Sequence, residues 1–93
     1  MTVTYKIQQF TKTSKQLSTR VLADTIADKI KSDQDSVDFT DVEMISSAFA
    51  DELVFKLKEK DVNFHKVVLN PNQDVRTIFQ IVNKRRSKLL KVN

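Results

Sequence analysis

The sequence predicts an α/β domain with a small mixed or mostly parallel sheet in β-α-β-α-β-α order, on three observations. Near the start, Val3, Tyr5 and Ile7 alternate with Thr4, Lys6 and Gln8, the period of a half-buried strand. Three later stretches carry apolar residues at helical spacing: Leu22, Ala23, Ile26, Ala27 and Ile30; Phe49, Ala50, Leu53, Val54 and Leu57; Val75, Ile78, Phe79 and Val82. Between these stripes stand β-branched and aromatic runs, Val37-Asp38-Phe39 and Val62-Asn63-Phe64-His65-Lys66-Val67-Val68-Leu69. Strand alternating with helix is the order that parallel pairing requires, because each parallel step needs a crossover.

Each element carries local signals. Phe10 breaks the first strand's rhythm, and the polar residues 11–16 read as a loop. Ser18 or Thr19 is placed to cap the first helix, and Lys29 and Lys31 lie near its end, where the helix dipole favours cations. Residues 32–36 form a polar connector. Val37 and Phe39 open a central strand that runs on through residues 42–45 into a turn. Ser46 and Ser47 precede the second helix, with Asp51 and Glu52 in or near its first turn. Residues 62–69 read as a third strand with His65 at a sheet edge. Asn70-Pro71-Asn72-Gln73-Asp74 reads as a turn, with Pro71 suited to an early turn position or a helix's first turn.

Composition narrows the function. The 93 residues suit one domain over positions 1–93, ending in a basic helix end at 84–93. A hydrophobic fraction of 40% with 30% charged residues is that of a folded chain rather than a disordered one. With no glycine, neither a Walker loop nor a dinucleotide fingerprint can be built, since both need backbone that approaches a phosphate closely. With no cysteine and one histidine, there is no thiolate nucleophile, zinc-thiolate site or paired-histidine metal site. No catalytic residue, cofactor or metal is therefore expected, and the chain reads as a non-enzyme. No apolar run exceeds three residues, against the roughly 20 that span a bilayer, and no signal peptide is visible. A cytoplasmic protein without membrane contact is the expectation.

Two segments carry a resemblance. Asp38-Phe39-Thr40-Asp41-Val42 followed by Ile45-Ser46-Ser47-Ala48-Phe49-Ala50-Asp51-Glu52-Leu53 resembles the strand–turn–helix signature of the STAS-like domain family. Ser18-Thr19-Arg20 with Ala23 is similar to the segment that opens the family's preceding helix, and the resemblance covers roughly residues 1–82. More distantly, the junction is similar to STAS domains of anti-sigma-factor antagonists, in which an ATP-dependent kinase phosphorylates a serine at that helix start. The resemblance implies a regulatory protein–protein interaction module with a histidine-kinase-like ATPase or related signalling protein as partner. It implies Ser47 as the first candidate phosphoacceptor and Ser46 as the second. Antagonists have an acidic residue before the serines and a glycine after them, whereas this chain has Phe49 following Ala48.

The residues themselves allow further readings. Ser46 and Ser47 suit capping of the free N–H groups of a helix start. A phosphate there would be held by the same groups, but Asp51 and Glu52 would repel it unless a cation compensates. Ser46, Ser47, Phe49, Asp51 and Glu52 together make the candidate partner surface, although Phe49 also belongs to an apolar stripe. Asp38 needs a hydrogen-bond partner in a buried strand, and Arg20 is the expected one. The tail concentrates five cations, Lys84, Arg85, Arg86, Lys88 and Lys91, in a chain of net charge +4. They suit a solvated helix end, or alternatively a contact with nucleic acid or another acidic surface.

Overall fold

The computed structural model describes residues 3–13 and 15–91, with side chains described as far as Arg86. Ser14 of the expected loop and the side chains of Lys88 and Lys91 lie outside the described residues.

The chain opens with β1 (Thr4–Lys6), a 3-10 turn (Ile7–Gln9) and β2 (Gln16–Leu17). Then come α1 (Arg20–Lys29), β3 (Ser36–Asp38), β4 (Met44–Ile45) and α2 (Ser47–Glu59). The one-turn α3 (Phe64–Val67) runs directly into β5 (Val68–Leu69), and α4 (Gln73–Lys91) follows.

The main sheet has the order β1-β3-β5, and both pairings are parallel: Tyr5 lies opposite Val37, and Val37 opposite Val68. β2 and β4 form a separate parallel pair, with Leu17 opposite Ile45. All strand pairing among the described residues is therefore parallel, as the alternating pattern requires.

The helices begin and end where side chains satisfy their open backbone groups. The Thr19 hydroxyl accepts from the Leu22 N–H at 3.2 Å at the start of α1. At its end the Lys60 ammonium, reaching over from the end of α2, donates to the carbonyls of Ala27 and Ile30. The Asn72 carboxamide oxygen accepts from the Val75 N–H at 2.8 Å and starts α4. α2 packs against both α1 and α4. The three helical stripes meet the strands in one core, in which Ile26, Phe39, Phe49, Leu53 and Phe79 are fully buried. The Phe79 ring lies 5.7 Å from Phe39, edge-on, and 5.6 Å from Phe64. Aromatic burial on this scale contributes roughly 2–3 kcal/mol per ring.

A chain without glycine must find other residues for left-handed backbone. Asp41, Asp61 and Asn70 do so, with φ of 71°, 59° and 56°. Aspartate and asparagine tolerate this region best among the remaining side chains. Asp61 terminates α2: its N–H reaches the Lys58 carbonyl at 3.0 Å while the Val62 N–H reaches Leu57 at 2.9 Å. That is the bonding of a glycine-type helix stop with an aspartate in the glycine's place.

Three expectations need correction. Residues 62–69 are not one strand, since only Val68 and Leu69 pair and α3 precedes them. Asn63 starts that turn by accepting from the His65 N–H at 2.9 Å, and Phe64 and Val67, three apart, turn inward. His65 is consequently an exposed helical residue whose ring lies 4.0 Å from Phe64, not a sheet-edge residue. The expected polar loop ends in β2, a strand too short to show a period. The central strand does not run on through residues 42–45: β3 ends at Asp38, and Met44 and Ile45 form β4, which pairs with β2 in the other sheet.

Candidate functional site

The site grows out of the small parallel pair. Leu17 and Ile45 lie side by side at the ends of β2 and β4, and each strand runs almost at once into a helix. The starts of α1 and α2 are thus neighbours, and Ser46 ties them together. Its N–H donates to the Leu17 carbonyl at 2.8 Å, and its hydroxyl donates to the Ser18 carbonyl at 3.0 Å. The same hydroxyl accepts from the Phe49 N–H at 3.0 Å, which makes Ser46 the N-cap of α2. Ser47, the first helical residue, is exposed, and its hydroxyl has no hydrogen-bond partner among the described residues.

Two helix N-termini side by side concentrate partial positive charge, and Arg20, the first residue of α1, adds a full one. A cation is unfavourable at that position unless a carboxylate compensates it. Asp51 and Glu52 do so, each with an oxygen 3.3 Å from the Arg20 guanidinium. They stand beyond the first turn of α2, not in it, so their partners are arginines rather than the dipole of their own helix.

Asp51 has a second and closer partner. Arg86 of α4 grips it with two bonds, Nε to Oδ1 at 2.8 Å and Nη2 to Oδ2 at 2.6 Å, and its guanidinium carbon lies over the Phe55 ring, 4.7 Å from the ring centre. The Arg86 hydrogen bonds hold the Asp51 carboxyl below its ordinary range, with Arg20 adding to them against burial. In return, Asp51 raises the already high pKa of Arg86. Glu52 moves the other way. The Asp24 carboxyl beside it, together with burial, pushes its pKa up, while Arg20 and Lys56 pull it down. One oxygen of Asp24 is buried without a hydrogen-bond partner. Arg20, Asp24, Asp51, Glu52 and Arg86 thus form one charge cluster across α1, α2 and α4.

Residues 19–76, more than half of the chain, match the family model described as a STAS-like domain of unknown function (DUF4325). The protein is a STAS-like domain. No curated protein and no solved structure matches it. The matched stretch holds both helix starts, Arg20, Asp51 and Glu52, while Arg86 lies outside it.

Within the STAS-like domain, several expected site residues take other places. Phe49 is fully buried and belongs to the core rather than to a partner surface. Arg20 does not pair with Asp38, because α1 starts against α2 rather than against the central strand. Asp38 instead accepts from the Thr40 N–H at 2.9 Å and its hydroxyl, and from Asn70 at 3.2 Å. The Thr40 hydroxyl leads in depressing the Asp38 pKa. The tail divides: Lys84 and Arg85 are exposed, whereas Arg86 is turned inward onto Asp51.

Sequence reasoning missed Asp24 and Phe55 altogether. Asp24 directly follows the buried Ala23 of α1, and a carboxylate at the edge of an apolar stripe was the available signal. Phe55, flanking the α2 stripe, is the platform on which Arg86 rests. At the opposite end of α2, a cavity of about 360 Å³ is lined by Asp33, Asp61, Asn63 and His65 among others. Among the described residues no group of His, Cys, Asp or Glu could hold a metal ion, and no helix is long and apolar enough to cross a membrane.

Proposed function

We propose that this STAS-like domain is a non-enzymatic regulatory module that docks a signalling protein at the paired starts of α1 and α2. Ser47 is its phosphoacceptor, and a histidine-kinase-like ATPase is the partner that modifies it. The division of work between the two serines carries this reading. Ser46 is consumed on both sides as a cap, while the Ser47 hydroxyl is exposed and unbonded one residue later.

A phosphate on Ser47 would sit beside the open N–H groups of the first turn of α2, where the helix dipole favours an anion. Asp51 lies four residues on, along the same helix face, and would repel it. That repulsion is offset within the chain, since Arg20 and Arg86 both contact Asp51. The dianion would then change the charge of a surface that STAS-like domains use for protein contact.

The test is intact-mass measurement after incubation with ATP and the histidine-kinase-like ATPase of the same host. One phosphoryl group should be added, retained in Ser46→Ala and lost in Ser47→Ala. Absence of both a mass gain and a stable complex on size exclusion would overturn the reading.

A further inference from the structure

We propose a second interaction surface, independent of the serine site: the outer face of α4 is a contact for duplex DNA. Its inner face is spent on the core through Val75, Phe79 and Val82, with Arg86 continuing the same side onto Asp51. The opposite side presents six exposed residues, Arg76, Thr77, Gln80, Ile81, Lys84 and Arg85. None of the three cations has an ion-pair partner among the described residues, although Arg86 next door is gripped twice. From Val75 to its end α4 contains no acidic residue; Asp74 in the first turn is its only one.

The arrangement around the helix gives this charge a shape. Arg76 and Arg85 are nine residues apart, about 14 Å along the axis and about half a rotation around it, so they flank opposite edges of one face. Thr77, Gln80, Ile81 and Lys84 fill the strip between them at i, i+3, i+4 and i+7 spacing. A helix laid in a major groove about 12 Å wide needs cations on both flanks for the two phosphate walls, and side chains that read base edges between them. A carboxamide can pair with adenine, an ammonium with guanine, and apolar methyls with the thymine methyl. Gln80 and Lys84 supply the first two. Ile81, 49% exposed within the strip, and the Thr77 methyl supply the third.

The face has no aromatic side chain, so it lacks the stacking platform that single strands require. Its charge is complementary to phosphate, and its central residues distinguish a base-reading surface from a merely cationic one.

The full chain is titrated by fluorescence anisotropy with a mixed-sequence DNA duplex of two helical turns, from about 50 to 200 mM salt. Binding should weaken with salt, with a log–log slope of about −1.8 or steeper, for the two phosphates met by Arg76 and Arg85 at roughly −0.9 each. The double substitution Lys84→Glu with Arg85→Glu, on exposed positions, should weaken it tenfold or more with an unchanged helical circular dichroism signal. Selection from a randomised duplex pool should enrich a short sequence, and Gln80→Ala should relax the preference without altering the salt slope.

Absence of binding at low salt would overturn the proposal, as would equal binding of polyglutamate, tighter binding of single strands, or indifference to the double substitution. These outcomes are separate from those at Ser47, because Ser47→Ala leaves the α4 face intact.

Discussion

Arg85 and Arg86 are neighbours in the sequence and opposites in the structure. Arg86 is three-quarters buried, bonded twice to Asp51 and set over the Phe55 ring, whereas Arg85 is exposed with no ion-pair partner among the described residues. One step along a helix is a turn of about 100°, enough to carry the same side chain from a packed face to a solvated one. The difference teaches that the +4 charge of this chain is not one property. Part of it, at Arg86, is locked against α2, whereas Arg85 one step away is exposed to solvent.

The inner face of α4 should give the largest effect. Phe79→Ala removes a ring packed against two others and should cost about 3–5 kcal/mol in urea denaturation, with loss of the folded state as the extreme result. Arg86→Met comes next. It keeps apolar contact with Phe55 but removes both bonds to Asp51, and should cost about 1–2 kcal/mol, while Arg85→Met should stay within about 0.5 kcal/mol. Equal losses for the two arginines would break the comparison.

The sign of the pH dependence follows from Asp51. Its folded pKa is depressed, so the stability it adds is complete above the ordinary aspartate value of about 4 and is lost as pH falls through the folded value. Acid titration of Arg86→Met should show this loss reduced.

The two serines offer the same contrast on a smaller scale. Ser46→Ala loses the cap of α2 and the tie to Ser18, costing about 1 kcal/mol, whereas Ser47→Ala should leave the melting temperature nearly unchanged.

Asp24→Asn should move stability the other way. Glu52 has a raised folded pKa, so its contribution is complete below the unfolded value of about 4.3 and is lost as pH rises through the folded one. Removing the carboxylate beside it should stabilise the protein at neutral pH by about 0.5 kcal/mol and flatten the melting profile above that range.

Much of the fold was legible because long amphipathic segments announce themselves. The stripes of Leu22 to Ala27, Phe49 to Leu57 and Val75 to Val82 lie in helices whose apolar residues enter the core, and Ile30 enters it just past the end of α1. The segment before Leu69 was misread although it held a warning. In a strand, Lys66 would share the inward face with Phe64 and Val68, an expensive place for a charge. The helical reading turns Phe64 and Val67 inward and leaves His65 and Lys66 outside, as observed. Of the candidate site, the two serines and the acidic pair were visible, while the partners of that acidic pair were not.

By itself, then, the sequence determined the α/β class with a mixed or mostly parallel sheet, the three main helices, their core faces and the serine-marked start of α2. Those properties arise from spacing within a few residues, where periodicity and capping act. Only the tertiary structure decided that β2 and β4 set two helix starts side by side, that Arg20 answers Asp51 and Glu52 rather than Asp38, and that Arg86 turns inward while Arg85 does not. These depend on contacts between residues some 30 positions apart, and in such pairs the geometry of approaching elements, not local preference, chooses the partner of each charge.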